Sequence, residues 1–359
     1  MATDHSRQAR FVATGRAQVV DEHDQALWDA LIAQVMGGKG FRPLVLERTY
    51  QALGGRHHQV ARAAADAVEL LHTAFVVHDD VIDGDDRRRG QPNVGGIFAE
   101  RAAAVGASAD KARRYGNSAG ILAGDLALAG AVRGMALCGA PPGVVARLLD
   151  LVEEVLHRSA AGELADVRVS LTADASLSAA LQVAEWKTAA YTFQLPLQAA
   201  AILAEADDAV LAVLGRIGRQ LGIAYQLSDD LQGVFGTQEE TGKDPLGDLR
   251  EGKSTALIAI ARSSRHWAEL APHIGDPGLT VRDARRAREL LVACGARRAV
   301  DLLVQEHREA AVVAATTLPS PVADTLIGII DLLVPAPRRE SRSSSNDLAD
   351  ASVTGAGVP

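Results

Sequence analysis

Five aspartates and three arginines crowd the segment Val77-His78-Asp79-Asp80-Val81-Ile82-Asp83-Gly84-Asp85-Asp86-Arg87-Arg88-Arg89-Gly90-Gln91-Pro92. Asp79 and Asp83 are four residues apart, so on a helix their carboxylates share one face. Like charges at that spacing repel, and the turns before them are strongly apolar. A bound cation relieves both problems. Oxygen ligands on one helix face suit Mg²⁺, which keeps several waters and takes substrate phosphate oxygens as further ligands. The arginines that follow supply the planar fork that matches a phosphate. Taken alone, the segment reads equally as a solvated acidic helix end followed by a charged turn.

A second cluster weighs against that plainer reading. Tyr225-Gln226-Leu227-Ser228-Asp229-Asp230-Leu231-Gln232-Gly233 again sets an Asp pair at the end of a long apolar stretch. It leads into Thr241-Gly242-Lys243-Asp244-Pro245 and then Asp248-Leu249-Arg250-Glu251-Gly252-Lys253-Ser254-Thr255. Two Asp pairs, each followed by a basic loop, describe two walls of one Mg²⁺-diphosphate site.

Helices must carry both walls. Val60, Ala64, Ala67, Leu71 and Ala74 form a period-3.6 stripe that runs into His78 and Asp79, and Val144, Leu148, Leu151 and Val155 form another. Further helical stretches are expected over 177–204, 207–234, 254–264, 281–294 and 296–316. Gly215, Gly218 and Gly222 lower helix propensity but admit a neighbouring helix at close range. No strand-alternation block and no fixed-period repeat is present. Of the 359 residues 48% are apolar and only 4% aromatic, a balance that favours helix over sheet. The expected fold is all-α, in a single domain over 16–335, with 1–15 and the Pro/Arg/Ser/Gly-rich 336–359 disordered.

The net charge of −8 argues against a nucleic-acid partner. Cys138 and Cys294 stand far apart, which excludes a disulfide framework or a cysteine zinc cage and fits a reducing compartment. The N-terminus lacks a signal-peptide core, and apolar stretches such as 199–204 are broken by acids. A cytoplasmic protein without a membrane span is expected.

These motifs resemble the trans-isoprenyl diphosphate synthases, the farnesyl and geranylgeranyl diphosphate synthase family, and among them most closely the bacterial geranylgeranyl diphosphate synthases. Asp79-Asp80-x-x-Asp83 with Arg88-Arg89-Gly90 is similar to the family's first aspartate-rich motif, Gln226-x-x-Asp229-Asp230 to its second, and Gly38-Lys39-Gly40-Phe41-Arg42-Pro43 to its G-K-x-x-R-P element. The similarity runs from about residue 37 to 255. It implies the isoprenoid synthase fold, a large antiparallel helical bundle around a central cavity. It also implies Mg²⁺-dependent head-to-tail condensation of isopentenyl diphosphate with an allylic diphosphate (dimethylallyl, geranyl or farnesyl).

By the same resemblance Asp79, Asp83 and Asp229 hold several Mg²⁺ ions, with Asp80 and Asp230 supporting them. Lys39, Arg42, His72 and Arg89 bind isopentenyl diphosphate, and Arg88, Lys187, Lys243 and Lys253 bind the allylic diphosphate. Thr188 and Gln226 face the developing allylic cation, although both could equally be satisfied core residues. Arg87 and His78 receive no role. Product length is expected to turn on Ala74 and Phe75, about one turn deeper than Asp79. The small Ala74 favours a twenty-carbon product, geranylgeranyl diphosphate, over farnesyl diphosphate or longer chains. Family likeness also implies a homodimer. Gly233 departs from the family, where a third aspartate is common. A class I terpene cyclase is disfavoured, since no N-x-x-x-S-x-x-x-E metal site accompanies Asp229, and a complete ligand set argues against a non-catalytic modulatory subunit.

Overall fold

The computed structural model describes residues 8–37, 40–171, 176–236 and 246–336. Its helices are α1 (Gln8–Arg16), α2 (Glu22–Met36), α3 (Phe41–Ala52), α4 (His58–Asp83), α5 (Val94–Ala104), α6 (Ala109–Ala136), α7 (Pro142–Leu171), α8 (Leu177–Val183), α9 (Leu195–Leu203) and α10 (Asp208–Phe235). Six more follow: α11 (Gly247–Glu251), α12 (Ala256–Arg262), α13 (Trp267–Leu270), α14 (Val281–Ala293), α15 (Ala296–Ala315) and α16 (Ser320–Leu333). Between α8 and α9 the rod continues without a break as a π-helix, Ala184–Gln194. The fold is all-α, as the sequence predicts.

Two apolar cores flank that rod. Leu195, Ala199 and Ala200 belong to a core with α2, α3, α4, α5, α6 and α7, while Phe193, Leu197 and Ala201 join α10 and the C-terminal helices in the other. Both acidic clusters lie at helix ends beside the rod. α10 reaches it through glycines: a side chain at Gly218 would collide with the Gln194 backbone, and one at Gly222 with Ala189. The next turn of that face carries Gln226.

Local signals end the helices where the site needs them. Gly84, at φ 74°, caps α4 one residue after Asp83, and its N–H bonds back to the Asp80 carbonyl. The Asn93 side chain accepts from Gly96 N at 2.8 Å and starts α5. Between these two caps, β1 (Arg87–Arg88) pairs with β2 (Gln91–Pro92) in an antiparallel ladder. Its two turn residues, Arg89 and Gly90, take φ of 53° and 75°, the positive values a tight hairpin requires. This two-residue ladder is the one sheet among the described residues.

The N-terminal stretch differs from the sequence expectation. Residues 8–15, expected to be disordered, lie in α1, where Phe11 packs edge-on against Trp28 of α2 at 5.3 Å and covers Gly130 of α6. Residues 337–359 of the expected tail lie outside the described residues. α6 is long and apolar enough, by length and composition alone, to cross a membrane. Here Ala119, Ala123, Ala127 and Ala131 of that helix are buried in the core it forms with α4.

Candidate active site

The end of α4 faces the π-helix and α7. Lys187 sits among three carboxylates, with its Nζ 3.0 Å from Asp79, 3.0 Å from Glu163 and 2.8 Å from Asp166. Burial alone would lower the lysine's pKa, but these acids outweigh it and raise the pKa well above the ordinary lysine range. Gly162 makes the approach possible, because a side chain there would overlap the backbone of Trp186 and Lys187. Arg88, turned back by the hairpin, donates from Nε to Asp80 at 2.7 Å and from a terminal nitrogen to Asp79 at 3.4 Å. Burial pushes the Asp80 carboxyl up to about 6 against the opposing pull of Arg88.

One oxygen each from Asp79, Asp83 and Glu163 lie within 4.8 Å of one another. An all-carboxylate set at that spacing fits a hard divalent cation such as Mg²⁺. Asp229 is not part of this trio. It lines a cavity of about 400 Å³ with Gly40, Phe41, Tyr225, Gln232 and Leu333. Lys253 relates the two clusters: Glu251 holds it at 2.9 Å, and its charge acts on both Asp83 and Asp230. Neighbouring acids, Glu251 foremost with Asp248 and Asp83, outweigh its burial and raise its pKa above the ordinary range.

Thr188 Oγ1 donates to Gln226 Oε1 at 2.8 Å, and Gln226 Nε2 donates to Asp230 Oδ1 at 2.8 Å. With its proton committed to Gln226, the threonine hydroxyl keeps lone pairs for the site. Burial drives the Asp230 carboxyl up to about 7, with the Asp229 and Asp248 charges adding to the effect. An acid whose folded pKa is raised favours the fold most below its unfolded pKa, near 3.8, and loses that contribution as pH climbs to about 7. Asp230→Asn keeps the Gln226 acceptor without the charge. In Mg²⁺-free buffer its melting temperature should gain on wild type from pH 4 to pH 7 and run parallel above. Parallel melting curves across the whole range would contradict a buried, raised Asp230.

The other expected set gathers on α3, α4 and the hairpin. Arg42 is buried, donates to Thr192 Oγ1 at 3.2 Å and lies 4.0 Å from Glu69, itself buried. The guanidinium also covers the rings of Phe41 and Tyr191. His72 stacks on Tyr191 at 5.8 Å, and Phe75 meets the same ring edge-on at 4.8 Å. Burial, reinforced by Arg42, Arg88 and Arg89, holds His72 well below the usual histidine range, so the imidazole is neutral. Arg89 donates to the Gly37 carbonyl and contributes to the field at Glu69.

The structure thus brings Arg42, His72 and Arg89 together, and likewise Asp79, Asp83, Arg88 and Lys187. Lys39 and Lys243 lie outside the described residues. Ala74 is fully buried in the packed core, and its neighbour Phe75 meets Tyr191. Glu69, Glu163, Asp166, Tyr191 and Asp248 escaped the sequence reading as site residues. A glutamate inside the apolar run of α4, three residues before His72, was one available signal. Gly162 beside Glu163 and Asp166 was another.

A family model described as polyprenyl synthetase matches residues 25–291. A geranylgeranyl diphosphate synthase of Sulfolobus acidocaldarius is 33% identical over 224 residues, which span 62% of this chain and 62% of that enzyme. The geranylgeranyl diphosphate synthase of Mycobacterium tuberculosis is 32% identical over 293 residues, 80% of this chain and 78% of that one. Among solved structures, a geranylgeranyl pyrophosphate synthase from Corynebacterium glutamicum, complexed with isoprenyl diphosphate and magnesium, is similar with a TM-score of 0.85 at 29% identity, covering 93% of this chain and 97% of that one. The match takes in the helices that carry both acidic clusters and the lysine between them, and the chain belongs to the polyprenyl synthetase family.

Proposed function

We infer that this chain is a prenyltransferase that joins isopentenyl diphosphate to an allylic diphosphate, with geranylgeranyl diphosphate as product. The observation that carries the reading is the alternation of acids and cations at the end of α4: Asp79, Asp83 and Glu163 converge while Lys187 and Arg88 stand against them. Such a site binds a polyanion through its cations and through Mg²⁺ held by carboxylates.

Asp79, Asp83 and Asp229 would hold Mg²⁺, which when bound neutralises the diphosphate as it leaves. Arg88, Lys187, Lys253 and, outside the described residues, Lys243 bind the allylic diphosphate and take up charge as its bond to carbon breaks. Arg42, Arg89 and Lys39 receive the diphosphate of isopentenyl diphosphate, and the neutral His72 supports that subsite. Thr188 and Gln226 face the carbon that becomes positive. The allylic C1 then bonds to the isopentenyl double bond, and the departing diphosphate takes up the proton that is lost, leaving a chain five carbons longer.

Phe75 against Tyr191 forms the floor for the growing tail. That aromatic pair is also what favours farnesyl diphosphate as the second reading. The exposed Ile121, Leu122 and Val132 on α6 support a homodimer, and the two free cysteines suit the cytoplasm. The test supplies isopentenyl diphosphate, each allylic starter and Mg²⁺, then measures product length by chromatography. Absence of condensation with every starter would sink the reading. Phe75→Ala should shift the product by at least one five-carbon unit; an unchanged product would remove Phe75 from the floor.

A further inference from the structure

We propose that Tyr191 governs two properties together, the hold on isopentenyl diphosphate and the point at which the growing tail stops. The inference rests on the prenyltransferase reading of the site and adds to it a positioning residue on the π-helix. One phenol ring serves three side chains. His72 stacks on it nearly parallel, with centroids 5.8 Å apart and an angle of 18° between the planes. The Arg42 guanidinium lies over it, 5.3 Å from its centre. Phe75 meets it edge-on at 4.8 Å and 63°. The first two contacts belong to the isopentenyl diphosphate subsite and the third to the floor for the tail, so the same ring borders both.

Its support is rigid. Ala189, Ala190, Thr192 and Phe193 are fully buried, whereas Tyr191 between them is only partly covered, so packed backbone presents the ring to the site. Lys187 and Thr188 lie on the preceding turn of the same π-helix. Arg42 depends on this ring more than a cation with a full set of hydrogen bonds would. Its guanidinium donates to Thr192 Oγ1 at 3.2 Å and stands 4.0 Å from Glu69, but its buried Nε has no hydrogen-bond partner among the described residues. Flat contacts fix its plane instead, with Tyr191 on it and Phe41 at 4.6 Å.

An aromatic ring suits both duties because its face and its edge differ: the electron-rich face attracts a cation, and an edge-on partner is held at a set angle. An aliphatic side chain of similar bulk offers neither. Without the ring, Arg42 and His72 lose the preorganisation that makes anion binding cheap. Phe75 loses the partner that fixes its rotamer, and the floor opens. Affinity for isopentenyl diphosphate and product length consequently change together.

Steady-state kinetics on the full chain test this, reading KM for isopentenyl diphosphate at saturating allylic starter and Mg²⁺ together with product length. Tyr191→Leu should raise that KM about tenfold or more, the scale set by losing a desolvated cation–π contact, and lengthen the product by at least one five-carbon unit. Tyr191→Phe keeps the ring and should restore both to wild type. A Tyr191→Leu enzyme that changes only in kcat, or in only one of the two readouts, would overturn the proposal alone. So would a Tyr191→Phe enzyme as altered as Tyr191→Leu, since the hydroxyl would then carry the role. A wild type that condenses no starter would overturn the functional reading and the proposal with it. Melting curves identify a variant that fails to fold; Tyr191→Met, which fills the space without an aromatic face, then stands in for Tyr191→Leu with the same expected result.

Discussion

Asp79→Ala should reduce condensation of isopentenyl diphosphate with its allylic partner by about a thousandfold or more, while the protein stays folded. The scale follows from removing charge stabilisation worth several kcal/mol at the breaking bond. Asp79 is where the site's connections converge. One oxygen meets Lys187 at 3.0 Å and the other meets Arg88 at 3.4 Å, and the side chain belongs to the converging trio with Asp83 and Glu163. On the proposed function, deleting it removes a metal ligand and loosens both cations proposed to face the leaving diphosphate. The fold has less at stake. Lys187 keeps Glu163 and Asp166, and Arg88 keeps Asp80. Circular dichroism and melting temperature should therefore change little. Turnover near wild type would refute the metal assignment, and a collapse of the melting transition would show that Asp79 serves structure instead.

That balance of roles explains what was legible in the sequence. Asp79, Asp83 and Arg88 are close along the chain, and an α-helix with a glycine cap converts their spacing directly into geometry. The glycine face of α10 was legible for the same reason: Gly218 and Gly222 mark one stripe, and that stripe does meet the rod at Gln194 and Ala189. Glu163 and Asp166 were not. They lie on α7, remote in sequence from α4, and nothing in the period of α7 distinguishes them from the solvated acids Glu153 and Glu154. Their role exists only because the π-helix brings Lys187 to them. The π-helix itself was invisible, since residues 177–204 read as one continuous α-helical stretch. Eleven residues, about three turns, are too few for an apolar period to distinguish five-residue from four-residue hydrogen bonding. Helix α1 escaped for a related reason. Its order comes from Phe11 reaching Trp28 and Gly130, contacts made by distant elements rather than by local propensity.

Gly162→Ala isolates the contact on which that π-helix depends. The residue is buried on α7, and its missing side chain is what lets α7 rest on the backbone of Trp186 and Lys187. Backbone cannot rotate aside as a flexible side chain can, so one methyl group must push the two helices apart. Overpacking of this kind costs about 1–3 kcal/mol, visible as a lower melting temperature. The larger consequence is functional. Lys187 and Thr188 ride on the displaced segment while Asp79 stays on α4. On the proposed function, a shift of about 1 Å then separates the ammonium from the diphosphate and the hydroxyl from the reacting carbon, a misplacement worth about a hundredfold in rate. Thr188 would also lose its fixed distance to Gln226, and with it the link to Asp230. Two measurements separate this account from simple destabilisation. Below the melting transition, kcat should stay low when Mg²⁺ and both substrates are saturating, because the defect is in placement rather than in the folded fraction. Trimming the neighbouring side chain, as in Trp186→Ala, should leave kcat depressed, since the collision is with main chain and not with that side chain. Wild-type kcat in folded Gly162→Ala would show that α7 does not set the position of Lys187.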